Sequence, residues 1–137
     1  MSHLAFVLSQ PSHLIRDMFA HGVISPLGFV RYNLAIYTIE KSGAFDLAYY
    51  ARQCSMEFTS LREAVLHYVF HGENIGMRPN NEFSATYYVE ANYDLRSWKG
   101  NMFAHYLRHG LKKGRVPRLD LASRRLNSIN ILRTRPR

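Results

Sequence analysis

Two histidine pairs carry the sharpest chemical signal in the chain: His67 with His71, and His105 with His109. Each pair is spaced by four, so on a helix both imidazoles share a face and can clamp a metal ion. The second histidine of each pair directly precedes a glycine, Gly72 or Gly110, at what reads as a helix end. An imidazole there can bond the last carbonyls and offset the negative end of the helix dipole. A helical metalloprotease motif would place Glu after the first His, but Tyr68 follows His67. The histidines are therefore assigned a structural role, with no metal and no cofactor expected.

The tyrosines form a second set, with Tyr49-Tyr50 and Tyr87-Tyr88 as adjacent pairs. Neighbouring side chains on a helix point about 100° apart, so one ring of each pair turns inward and the other is free to stack on a ligand. Tyr50, Tyr88, His71 and His109 enter the candidate binding set on these grounds. Cys54, the single cysteine, excludes an internal disulfide and a four-cysteine zinc site. One thiol suits a reducing compartment. No nucleophile elbow, phosphate-binding loop or dinucleotide fingerprint occurs. Glu57, Glu63, Glu73 and Glu90 are dispersed and read as a solvated face. No catalytic residue is assigned, and enzyme activity is not expected.

The elements that must position these residues follow from an internal repeat. Shifting the chain by 38 positions aligns residues 45–80 with 83–118, with nine gapless identities. They are Phe45/Phe83, Tyr49/Tyr87, Tyr50/Tyr88, His67/His105, Tyr68/Tyr106, His71/His109, Gly72/Gly110, Gly76/Gly114 and Pro79/Pro117. Each copy reads as a helix pair. Asp46 and Ser84 are N-caps, each preceded by a Phe that staples onto the Tyr at the fourth helical position. The second helix of copy one opens on the capping box Ser60-Leu-Arg-Glu63. That of copy two runs from Asn101. Both are expected to end at Gly72 and Gly110 in left-handed caps. Two further helices are predicted upstream, over 12–21 and from Pro26 through Lys41. A helix pair this short cannot bury its apolar face alone, whereas stacked copies can. The expected fold is all-α: a small helical array with N-terminal helices at 1–43, repeats at 44–81 and 82–118, and a basic tail or helix at 119–137.

The pattern FD-x-x-YY … HY-x-x-HG-x-x-x-G-x-x-P resembles a short tandem repeat associated with bacterial glycosyltransferases and other surface-polysaccharide proteins. The likeness spans residues 44–118. The family's units end in Glu-Gly-Arg-x-Pro, whereas these end in Asn74-Ile-Gly-Met-Arg-Pro79 and Lys113-Gly-Arg-Val-Pro117, without the acid. The resemblance implies a role beside polysaccharide assembly and assigns no catalytic residue.

Charge divides the chain unevenly. Residues 1–107 hold eight Lys/Arg against nine Asp/Glu, and residues 108–137 hold ten against one, so the net +8 belongs to the C-terminal part. Lys112, Lys113, Arg115, Arg118, Arg124 and Arg125 complete the candidate binding set. Leu119, Ala122, Leu126 and Ile129 recur at helical spacing within that stretch, which suits docking on a protein, an anionic membrane or nucleic acid. No apolar run approaches a membrane span, and the N-terminus lacks a signal-peptide pattern, so a cytoplasmic protein is expected. The expected function is a non-catalytic interaction module associated with surface-polysaccharide assembly, meeting a protein partner or an acidic glycan. The alternatives are a nucleic-acid-binding accessory protein acting through the tail, and a structural subunit of a larger assembly. The sequence leaves the oligomeric state open.

Overall fold

The computed structural model describes residues 26–120; the expected helix at 12–21, most of the basic tail, and Arg124 and Arg125 lie outside that range. The described residues are all-α, with helices and no strand. Helix α1 spans Pro26–Ser42, with proline at its first position, where its missing N–H costs nothing. Copy one contributes α2, Leu47–Cys54, and α3, Leu61–His67. Copy two contributes α4, Ala85–Ala91, and α5, Met102–His105. None of these helices is long and apolar enough to cross a membrane.

The caps explain where the helices begin. The Asp46 carboxylate accepts from the Tyr49 N–H at 2.9 Å, and Ser84 Oγ from the Tyr87 N–H at 3.3 Å. Such a cap contributes about 1 kcal/mol. The staples form as well: the Phe45 and Tyr50 rings lie 5.1 Å apart, and those of Phe83 and Tyr88 5.5 Å. Ser60 Oγ accepts from the Glu63 N–H. Glu63 reaches back one residue further than a standard capping box, to the N–H and hydroxyl of Thr59. Asn101 caps α5 through the Ala104 N–H at 2.9 Å.

The helix ends differ from expectation. Gly72 is right-handed, with φ −61° and ψ −43°, and Gly110 also keeps a negative φ. Neither stops its helix. Instead α3 and α5 each widen into a π turn, Tyr68–Gly72 and Tyr106–Gly110, where the N–H of Glu73 and of Leu111 reaches back five residues to the Tyr carbonyl. The left-handed residues that close these two segments are Gly76 (φ 83°) and Gly114 (φ 65°). There the Met77 N–H bonds the Gly72 carbonyl and the Gly76 N–H the Glu73 carbonyl, while Arg115 and Gly114 do the same to Gly110 and Leu111. These are Schellman caps, displaced four residues beyond the expected glycines.

Each unit then closes on itself. The Asp46 N–H donates to the Pro79 carbonyl at 2.9 Å, and the Ser84 N–H to the Pro117 carbonyl at 3.1 Å. The start of each first helix is thereby tied to its own closing proline. Helix α1 packs along both α3 and α5 and contributes Ala35, Ile36 and Ile39 to the core. Aromatic rings fill the space between units: Tyr68 meets Phe103 edge-on at 6.1 Å, and Phe103 lies 4.9 Å from Phe83. Burying each such ring contributes about 2–3 kcal/mol before entropy is counted. The outward side of α1 leaves Leu27, Val30, Leu34 and Tyr37 exposed.

Candidate functional site

The repeated residues converge on one device, built twice. Tyr50 on α2 places its hydroxyl 2.7 Å from Nδ1 of His67 on α3, and Tyr88 on α4 places its hydroxyl 3.0 Å from Nδ1 of His105 on α5. Both tyrosines are fully buried. A Cβ at Gly72 would stand 2.1 Å from the Tyr50 oxygen, and one at Gly110 would stand 2.3 Å from that of Tyr88. The glycines are therefore required for close approach, not for handedness. They open a slot in the helix wall through which the hydroxyl reaches the imidazole one turn earlier.

Burial sets the protonation of this device. It pushes the Tyr50 and Tyr88 hydroxyls up, away from ionisation. Burial, then the neighbouring His109 and Arg115, hold His105 below its ordinary value, which favours the neutral imidazole. Cys54, one turn beyond Tyr50, is also pushed up by burial, which disfavours the reactive thiolate. Among the described residues, no group of three His, Cys, Asp or Glu side chains is arranged to hold a metal ion.

The remaining expected site residues separate. Tyr50 and Tyr88 face the core, so no sugar ring can stack on them without opening it. Tyr49 and Tyr87 are partly exposed. His71 packs on His67 and His109 on His105, with ring centroids 5.3 and 5.2 Å apart. Lys112 and Lys113 are exposed. Arg115 pairs with Asp94 at 2.8 Å, and Arg118 with Asp120 and the Asn81 carbonyl. These two arginines fasten the closing loops and are not free for a ligand.

Glu73, expected on a solvated face, is partly buried between the copies. It accepts from the Tyr68 hydroxyl at 2.9 Å, from Asn101 Nδ2 at 3.0 Å, and from the N–H groups of Met102 and Phe103 at 3.1 Å. One carboxylate of copy one thus caps the second helix of copy two. Burial raises it to about 7, against the downward pull of those hydrogen bonds. Only the fold brings Glu73 to a helix that begins 29 residues later.

Cations from distant positions meet at a surface cleft of about 200 Å³. Arg31 of α1, Lys99 of the loop before α5, and Arg108 of the π turn after it line this cleft with Trp98, His105 and His109. Trp98 stands edge-on to His105 at 4.9 Å and is 46% exposed. A neighbouring cleft, also lined by Arg31 and Lys99, reaches Tyr32 and Glu73. Sequence inspection missed this grouping, because the only local signal was the lone tryptophan beside Lys99. No known protein family, curated protein or solved structure matches the chain.

Proposed function

We propose that the chain is a non-catalytic interaction module of surface-polysaccharide assembly, recognising an acidic glycan or a protein that handles one. The observation that carries this is how its polar chemistry is divided. The repeated Tyr–His–Gly sets are consumed inside the scaffold, while the outward cations of the second copy stand beside a half-exposed aromatic ring. The likeness of residues 44–118 to repeats that accompany glycosyltransferases supports the polysaccharide setting. An array of acidic and neutral glycans, probed with the full chain at low and at physiological salt, tests it. Selective retention of acidic glycans at physiological salt is expected; flat binding across the array would remove the glycan version and leave a protein partner.

A subunit of a larger assembly is the second reading, favoured by the exposed apolar row Leu27, Val30 and Tyr37 on α1. Co-purification of a partner from the native source, lost on Val30→Glu, is its expected signature. A partner retained by Val30→Glu would count against that face.

A further inference from the structure

We infer that the cleft between α1 and the second helix of copy two is a binding site for an acidic saccharide, its carboxylate met by Arg31, Lys99 and Arg108 and its ring by Trp98. This rests on the module reading above and gives it a location. Three basic side chains line the cleft, no carboxylate does so among the described residues, and none of the three makes an ion pair with another described residue. Elsewhere in the described chain three arginines are matched to acids: Arg62 to Glu40, Arg115 to Asp94 and Arg118 to Asp120. Unmatched cations in a concavity focus potential on an anion and raise its local concentration.

The aromatic ring argues for more than a bare anion. Trp98 leaves nearly half its surface exposed, yet it is held, with its indole against His105 and its nitrogen near Gly100. A Cβ at Gly100 would approach that nitrogen to 2.7 Å, so the glycine keeps room for the ring. An apolar plate beside guanidinium groups matches a sugar ring that carries an acid: C–H faces on the plate, carboxylate on the fork. Inorganic anions have no use for the plate.

The full chain is titrated with oligogalacturonate, with the neutral galactose oligomer, and with inorganic phosphate. Arg31→Gln, Arg108→Gln, Trp98→Ala and the double variant Lys112→Gln/Lys113→Gln are compared, each checked for native melting. Arg31 and Arg108 are exposed and unpaired among the described residues, so their variants keep the fold even if Trp98→Ala does not. Expected are binding of the acidic oligomer alone and a loss of about tenfold in each arginine variant, the size of one charged hydrogen bond. The lysine variant, outside the cleft, should change affinity by less than about threefold. Undiminished binding by both arginine variants would overturn the site while leaving the module reading intact. Phosphate displacing the oligomer at equal concentration would overturn the saccharide and leave an anion site. Binding of no acidic glycan, here or on the array, would overturn both.

Discussion

The two copies use the same buried device in different surroundings. Each sets a Tyr hydroxyl against a His through a glycine slot, and each ties its first helix to its closing proline. They diverge one residue past the slot. Copy one has Glu73, whose carboxylate serves the next helix; the matching position in copy two is Leu111, which is exposed. Tyr68, facing Glu73, is fully buried, whereas its counterpart Tyr106 is only partly so. The closing loops differ as well. In copy one Gln53 bonds both the N–H and the carbonyl of Arg78, while copy two uses the Arg115–Asp94 pair. The internal geometry of a unit belongs to its repeated residues, and the joint between units belongs to residues that do not repeat.

The largest effect is expected where the copies agree. Gly72→Ala should cost about 3 kcal/mol, because the new Cβ meets a ring that the core does not allow to move. Gly110→Ala should behave alike. Adding Tyr50→Phe removes the oxygen at 2.1 Å, so the double variant should be at least 1 kcal/mol more stable than the sum of the singles in urea titrations. Strict additivity would show that the slot is not what the glycine provides.

Next comes the position where the copies differ. Glu73→Leu makes copy one resemble copy two and strips the acceptor from Met102, Phe103, Asn101 and Tyr68, for an expected loss of about 2–3 kcal/mol. Leu111→Glu makes the reverse change at an exposed site and should be within about 0.5 kcal/mol of neutral. Equal costs at both positions would erase the distinction between joint and unit.

A pH series sharpens the same point. Glu73 is raised to about 7 from its ordinary 4.5, so the folded state holds the proton more tightly than the unfolded chain. Its contribution to stability is full below about pH 4.5 and falls as pH rises through about 7. His105, held low, acts with the opposite sign over part of this range, since its unfolded form takes a proton first as pH falls. The melting temperature of Glu73→Gln minus that of the wild type should therefore rise from pH 5 to pH 7.5. A flat difference would mean that Glu73 titrates normally.

The smallest effects concern the caps. Gly76 and Gly114 sit at left-handed φ, and a Cβ added at either would meet nothing within 4 Å, so each change to Ala should cost about 1 kcal/mol from backbone preference alone. Ser55 holds the only positive φ of a non-glycine residue among those described, φ 53°, in the Schellman turn that ends α2. Ser55→Gly should gain about 0.5 kcal/mol, the left-handed penalty less the entropy that glycine adds to the unfolded chain. Differential scanning calorimetry resolves both. A loss for Ser55→Gly would place that turn's strain elsewhere.

Sequence by itself determined the helices and their starts. Asp46, Ser60 and Ser84 cap where their side chains permit, Pro26 opens α1, and Phe45 and Phe83 staple to Tyr50 and Tyr88, because these are contacts within one turn of chain. It did not determine which glycine ends each helix. Gly72 and Gly76 are both chemically suited to a left-handed cap; the helix runs on to Gly76, and residue 72 is glycine because the Tyr50 oxygen, arriving from another helix, occupies the space a Cβ would take. The π turn escaped because a short run of i to i+5 bonding leaves no mark on side-chain periodicity. Glu73 looked like surface because three of its four partners, Asn101, Met102 and Phe103, lie 28 to 30 residues away, and Arg31, Lys99 and Arg108 looked unrelated because 77 positions separate the first from the last. Local chemistry acts over a few residues and is written in order along the chain. Burial, close approach and the gathering of charge are properties of surfaces that meet only when helices pack.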